Sequence, residues 1–391
     1  MRLGIFGGTF NPIHKGHLRL AENFKNLLSL DKILLIPANI PPHKQAPDLA
    51  EGVDRLNMCL LAARDYPFIE VSDMELRREG ASYTIDTLEA LRRIYPDGEF
   101  FLILGGDMFL GFDAWHRFEE IIKNAAVCAA ARRDKDCGEL AAQRRKLEAL
   151  GANIIISEAK AFEISSTEIR NAFRARNSGF FSIYLPGNVK KYCECLYLYS
   201  GTEAADVLEY KQAIAEMEKP GRVYHSLCVA KEAARLAIIY GANPAKAYRA
   251  GILHDILKNV PADKILQLPG ASDIIHKDMR ELFPMIWHSF AGAEYVRRRF
   301  NIGDEDIINA IRYHTTGRGG MSLLEKTLFI ADCTSFDRAY GDAGIMRQMA
   351  GISADSGMSY ALKYIITSIL KENRPLLQDT IDAYNDSVCA K

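Results

Sequence analysis

The sequence lacks any C-x-x-C pair. Its eight cysteines stand at 59, 128, 137, 193, 195, 228, 333 and 389, a spacing that excludes a thioredoxin-like motif and the disulfide framework of a small secreted domain. Free thiols are expected, and Cys193 and Cys195 alone fall short of the ligand set of a zinc site. Charge of one sign is also missing: 49 basic and 50 acidic side chains leave a formal net charge of -1. That balance excludes a DNA-coating surface and a polybasic membrane anchor, so no nucleic-acid partner is expected and any phosphate must be held locally. No apolar run nears the roughly 18 residues that span a bilayer, and Met1 to His17 contain no apolar signal-peptide core. A soluble, cytoplasmic chain without a membrane partner is expected. Extensive disorder is excluded as well, because 48% hydrophobic and 25% charged residues are the proportions of a globular chain.

What is present divides in two. Up to about residue 200, short β-rich runs alternate with amphipathic helices, and Arg2–Phe6, Lys32–Pro37, Phe68–Asp73, Phe100–Leu104, Ala126–Ala130 and Asn153–Ile156 read as strands. Alternating β and α over that length implies an α/β doubly wound parallel sheet. Beyond about 203 strand patterns cease, and helical periodicity runs through Tyr224–Tyr240, Ala245–Lys258, Ser289–Phe300, Asp304–His314, Leu323–Cys333 and Ser359–Lys371. An all-α domain follows the α/β one, with the boundary at the small polar turn Ser200-Gly201-Thr202, so the domains are 1–200 and 201–391.

The first strand leads into Gly7-Gly8-Thr9-Phe10-Asn11-Pro12-Ile13-His14-Lys15-Gly16-His17 and then a helix. Glycines let backbone approach a ligand, and the helix aims its free N–H groups and positive dipole end at the turn, which makes an anion site. His14 and His17, three apart at the helix start, can donate to the same phosphate. Late in this half stands Ile164-Ser165-Ser166-Thr167-Glu168-Ile169-Arg170. Taken alone, Ser165 with Glu168 reads as a capping box. Taken with the histidine turn, two polar helix starts and Arg170 can hold both ends of a triphosphate.

These residues resemble the nucleotidyltransferase superfamily that carries H-x-G-H and I-S-S-T-x-I-R, and within it the bacterial nicotinate mononucleotide adenylyltransferases. The closer likeness rests on Asn39-Ile40-Pro41-Pro42-His43-Lys44, Ser82-Tyr83-Thr84-Ile85-Asp86-Thr87-Leu88, Gly105-Gly106-Asp107 and Trp115-His116-Arg117, and covers roughly residues 1 to 197. The resemblance implies a Rossmann-like domain with His14, His17 and Arg170 catalytic. It implies ATP on Gly7, Gly8, Thr9, Phe10, Asp107, Ser165, Ser166 and Thr167, and nicotinate mononucleotide on Lys44, Thr84 and Trp115. The nucleotide's phosphate would attack the α-phosphorus of ATP, and pyrophosphate would leave with Mg²⁺. In-line transfer of this kind needs positioning and charge stabilisation but no protein nucleophile. Gly106 departs from the family, where alanine is expected.

Five of nine histidines follow residue 220. His254 and Asp255 are adjacent inside the apolar run Ala250–Lys258, on one edge of the expected helix, and a buried pair of that kind favours a cation. His225, His288, His314 and Asp332 each fall on a different expected helix, so a bundle can converge them on one point. Imidazole and carboxylate without thiolate suits iron, manganese, zinc or nickel, and six ligands exceed the need of one ion. Two ions would activate a bridging hydroxide and neutralise a phosphate.

This half resembles the HD phosphohydrolase superfamily, and within it the bacterial symmetrical diadenosine tetraphosphate hydrolases, over about 215 to 380. The likeness lies in Arg222-Val223-Tyr224-His225, His254-Asp255 with Lys258, Trp287-His288-Ser289, Tyr313-His314-Thr315-Thr316-Gly317 and Ala331-Asp332. It implies an HD-type helical domain whose di-iron centre, or manganese in its place, splits diadenosine tetraphosphate into two ADP. After Asp332 an acidic residue and a proline are expected, where this chain has Thr334-Ser335-Phe336-Asp337 before Arg338. The alternatives for this half are a nucleotide-sensing regulatory module and another HD nucleotide phosphohydrolase. A homo-oligomer is compatible with the sequence.

Overall fold

The computed structural model describes residues 1–40, 48–130, 137–157, 163–269, 275 and 283–389. The chain forms two compact units: Met1–Lys190 with Tyr199–Gly201, and Lys191–Leu198 with Thr202–Lys391. Among the described residues no helix is long and apolar enough to cross a membrane.

The first unit runs β1 (Arg2–Gly8), α1 (Lys15–Leu27), β2 (Lys32–Pro37), α2 (Gly52–Ala63), β3 (Ile69–Val71), α3 (Thr84–Ile94), β4 (Glu99–Gly105), α4 (Gly106–Leu110), α5 (Phe118–Asn124), β5 (Ala126–Ala130), α6 (Cys137–Glu148), β6 (Ile154–Ser157), α7 (Ser166–Arg174) and α8 (Ser178–Tyr184). The strands form one parallel sheet in the order β3-β2-β1-β4-β5-β6, a doubly wound α/β fold. Because both faces are covered, alternate residues of one strand serve opposite cores. Leu3 and Ile5 of β1, Leu34 and Ile36 of β2 and Leu102 and Leu104 of β4 share a core with Ile85, Leu88, Phe109 and Leu140. The expected strand Phe68–Asp73 shortens to Ile69–Val71, an edge strand whose ladder with β2 stops at Leu35 and Val71.

The sheet order reverses between β1 and β4. Connections leave these neighbours in opposite directions, which opens a crevice at their carboxyl ends, where β1 delivers Gly8 and β4 delivers Gly105. Gly106 fits tightly there: a Cβ added to it would lie 3.0 Å from the carbonyl oxygen of Ala130. The alanine expected at that position would press α4 away from the end of β5.

The second unit is helical: α9 (Gly187–Cys195, shared with the first unit), α10 (Ala205–Met217), α11 (Pro220–Tyr240), α12 (Pro244–Leu253), α13 (Ala262–Leu266), α14 (Trp287–Arg299), α15 (Glu305–Tyr313), α16 (Leu323–Thr334), α17 (Ala343–Ile352), α18 (Ala354–Lys371) and α19 (Gln378–Cys389). α11 is buried over most of its length, and its small residues Ala230, Ala233, Ala234 and Ala237 admit neighbours closely. α12 comes closest, for a Cβ on Gly251 would stand 2.4 Å from Ala230 Cα. A buried pair, Glu232 and Arg235, holds α11 to α16, where Thr334 Oγ1 donates to Glu232 Oε1 at 3.1 Å.

Candidate active sites

At the crevice of the first unit lies a cavity of about 350 Å³. Its lining includes Gly7, Gly8, Thr9, Phe10, His14, His17, Thr84, Asp107, Trp115, Ser165, Ser166, Thr167 and Arg170. The sequence-predicted residues of this half are therefore brought together, with one exception: Lys44 lies outside the described residues.

The histidine turn is built by the start of α1. His14 takes the N-cap position with extended backbone, and its ring stacks on that of His17 with centroids 3.7 Å apart. The His14 backbone N–H donates to His17 Nδ1 at 3.2 Å. A neutral His17 accordingly carries its proton on Nε2, the nitrogen able to donate to an anion. At the start of α7 the capping box forms, and the same helix start meets the histidine turn. Ser165 caps the helix and exchanges hydrogen bonds with Glu168, while Ser166 Oγ donates to the Pro12 carbonyl at 2.9 Å, binding the helix start to the histidine turn. Arg170 reaches the same turn, its Nη1 donating to the Asn11 carbonyl at 2.9 Å, and its Nε meets Asp48 Oδ2 at 2.7 Å. Asp48 also pairs with Arg174.

On the opposite wall α3 begins at Thr84, with its N-terminal end at the cavity. Trp115 packs edge-on against Phe112 at 5.2 Å, and Tyr83 and His116 pair at 4.4 Å. Sequence reasoning missed Glu75. It is 6% exposed, lines the cavity, and accepts from Thr87 Oγ1 at 2.6 Å. Burial raises its carboxyl, and the hydrogen bonds from Thr87 and Ser82 offset only part of that. Nothing in the spacing of a lone glutamate marks it, since its partners come from the segment before α3 and from α3 itself.

In the second unit His225, on α11, lies with its Nε2 3.0 Å from Asp332 Oδ1 of α16. His254, His225 and Asp332 offer ligand atoms within 4.8 Å of one another, and so do His254, Asp255 and His314. His288, from α14, approaches Asp255 Oδ1 at 3.2 Å, and His314 approaches the same oxygen at 3.4 Å. The six sequence-predicted ligands converge. One local expectation is corrected: His254 and Asp255 do not ride on a helix that runs to Lys258. α12 stops at Leu253, and the chain tightens into turns closed by Ile256 N to Leu253 O and Lys258 N to Asp255 O. His254 takes the C-cap position, and its Nδ1–H donates at 2.8 Å to the Gly251 carbonyl that the helix end leaves over. His314 does the same after α15, to Ile311 at 2.7 Å.

Both caps fix the tautomer, so each Nε2 presents a lone pair. Among the described residues His254 Nε2, His314 Nε2 and Asp255 Oδ1 are buried and make no hydrogen bond. His288 Nε2 accepts from Lys258 Nζ at 2.9 Å and cannot also donate to the aspartate. Lone pairs thus face one another in a buried space, an arrangement that costs about 1–3 kcal/mol per unmade hydrogen bond unless a cation lies between them. The donor set fits a metal ion. Burial pushes the His254 imidazole down to about 3 and that of His288 down to about 4, which keeps both neutral at pH 7. His225 differs: burial lowers it, but hydrogen bonds to Asp332 and Asp337 carry it to about 9. Asp337 is the member that sequence reasoning did not place. It comes from the segment after α16 where the sequence departs from its resemblance. Arg222 pairs with Asp255 at 3.1 Å, and Arg338 pairs with Asp332.

Comparison with known proteins separates the same two parts. Residues 5–172 match the cytidylyltransferase-like family and residues 222–337 match the HD domain family. A probable nicotinate-nucleotide adenylyltransferase of Geobacter metallireducens is 42% identical over 187 residues, which are 48% of this chain and 81% of that protein. One of Lachnoclostridium phytofermentans is 38% identical over 192 residues, 49% of this chain and 95% of that protein. A Clostridium acetobutylicum crystal structure, described as a predicted HD superfamily hydrolase involved in NAD metabolism, is 29% identical; it covers 49% of this chain and 100% of its own, with a TM-score of 0.44. With its first half built on that crevice, and with an HD domain following, the chain belongs to the nicotinate-nucleotide adenylyltransferase family.

Proposed function

We propose that the first unit transfers AMP from ATP to nicotinate mononucleotide, giving deamido-NAD and pyrophosphate. The observation that carries this reading is the meeting of the His14–His17 pair and the α7 start on one cavity, in a half-chain 42% identical over 187 residues to a probable nicotinate-nucleotide adenylyltransferase. A phosphate oxygen of the mononucleotide attacks the α-phosphorus of ATP in line, the bond to the β-phosphate oxygen breaks, and pyrophosphate departs with Mg²⁺. His14, His17 and Arg170 donate to oxygens on which charge grows; Gly7, Gly8, Thr9, Phe10, Asp107, Ser165, Ser166 and Thr167 seat ATP. Trp115 offers the pyridine ring a platform, and Lys44 is assigned to the mononucleotide's phosphate. The N-terminal end of α3 at Thr84 favours the ring carboxylate, so the acid nucleotide is preferred over the amide. Equal kcat/KM for nicotinate and nicotinamide mononucleotides would overturn that preference.

For the second unit we propose a cytoplasmic hydrolase of diadenosine tetraphosphate that forms two ADP. The supporting observation is the set of facing lone pairs on His254, His314 and Asp255. His225, His254, Asp255, His288, His314 and Asp332 would hold two ions, iron first and manganese second, which supply an activated water and charge neutralisation. Arg222, Lys258 and Arg338, each against a ligand side chain, add positive charge for a polyphosphate. The test supplies the full chain with Fe²⁺ or Mn²⁺ and diadenosine tetraphosphate. ADP as sole nucleotide product is expected. ATP plus AMP would mean attack at an end, and no hydrolysis with no bound metal would favour a nucleotide-sensing module.

A further inference from the structure

His225 stands between two carboxylates. Its Nε2 is 3.0 Å from Asp332 Oδ1, and its Nδ1 is 2.7 Å from Asp337 Oδ2. With both nitrogens protonated the ring donates to each carboxylate; a neutral ring has one N–H, so when Nε2 offers its lone pair to a metal ion the proton must sit on Nδ1, against Asp337. The other histidines of the cluster solve their tautomer locally. His254 and His314 follow helix ends, where a carbonyl three residues back is left over to accept Nδ1–H. His225 has no such neighbour, because it lies within α11, and carbonyls there are taken up by the helix ladder. Its orienting acceptor must come from elsewhere. It comes from the segment after α16, the helix that also brings Asp332, so one stretch of chain delivers both a ligand and the group that aims another ligand. Asp337 is itself held: its second oxygen accepts from Ser335 Oγ at 2.7 Å, and Ser335 is fully buried.

We propose that Asp337 is a positioning residue of this centre, holding His225 with its proton on Nδ1 and its Nε2 lone pair turned to the ion shared with His254 and Asp332. The inference rests on the metal-centre reading above. Carboxylates behind ligating imidazoles set ring orientation and raise ligand basicity, and their loss typically weakens metal binding by about 10- to 100-fold.

The experiment titrates Mn²⁺ into the metal-free full chain and follows binding by calorimetry and by the free-ion EPR signal. Asp337→Ala should weaken one Mn²⁺ by about 10- to 100-fold and leave the second unchanged. Asp337→Glu should recover part of that loss, and Ser335→Ala should give a smaller loss in the same phase. Asp337→Ala removes an acceptor from a buried imidazole, so some loss of melting temperature in the metal-free protein is expected, and the decisive readout is whether one ion or both are weakened. Wild-type binding of both ions by Asp337→Ala overturns the proposal and leaves the metal centre standing. A fall in metal-free stability with equal weakening of both ions would make Asp337 merely structural, and also overturns it. Failure of the wild-type chain to bind Mn²⁺ or Fe²⁺ overturns the metal centre, and this role with it.

Discussion

His17 accepts a backbone N–H at Nδ1 and keeps its proton on Nε2, so its removal should be felt in chemistry more than in folding. His17→Ala should lower kcat for adenylyl transfer by about 10²- to 10³-fold, the usual worth of one charge-stabilising donor, with a melting temperature close to wild type. Steady-state kinetics beside a thermal melt check both. Asp48 makes the opposite kind of prediction. Partial burial raises its carboxyl and the hydrogen bonds from Arg170 and Arg174 lower it further, leaving it below its ordinary value. For an acid shifted that way, the stabilisation is complete above the unfolded value of about 3.9 and is lost as pH falls through the folded one. Asp48→Asn should therefore melt below wild type between about pH 5 and 7 and converge with it as pH falls through the lowered folded value. Residues of this second kind were invisible in the sequence. His14, His17 and the Ser165 to Arg170 run could be read because their spacing is local. Asp48, Glu75 and Asp337 act through partners far along the chain or from another element, and a single carboxylate in a loop carries no periodicity to betray it.

Elements show the same division between local and distant causes. Alternation and turn residues placed β2 and β5 with the bounds observed, since a parallel strand's apolar run ends where its ladder ends. Periodicity could not say that α12 stops at Leu253. The residues after it, Asp255-Ile256-Leu257-Lys258, keep a helical pattern, and what ends the helix is the His254 ring taking the Gly251 carbonyl and the tight turns that follow. Gly251 has two duties in that arrangement: it offers the carbonyl, and it lets α12 approach α11 so closely that an added Cβ would meet Ala230 Cα at 2.4 Å. Backbone cannot rotate aside as a side chain can. Gly251→Ala should separate the two helices at a cost of about 1–3 kcal/mol, visible as a lower midpoint in urea unfolding, and should reduce metal content because His225 and His254 sit on the parted elements.

For the whole molecule the two chemistries should separate by mutation. Asp255→Ala should strip metal and abolish hydrolysis together while adenylyl transfer persists, since the described residues proposed for that reaction line a cavity of the other compact unit. Loss of both activities in a folded mutant would contradict this. Separation by cutting is a different matter. The turn Ser200-Gly201-Thr202 looks like a natural seam, yet Lys191–Leu198 belongs to the helical unit. Tyr192 and Cys193 are fully buried, Tyr192 lies beside Arg235, and Arg249 hydrogen-bonds Tyr197. A fragment 191–391 should give a cooperative thermal melt, and one beginning at Thr202 should be less stable or fail to fold. In the history of such a chain, recombination at the glycine turn would transmit a helical unit without part of its own interior. The two halves can be inherited as exchangeable parts only if the crossover falls before Lys191, inside α9 and ahead of the glycine turn.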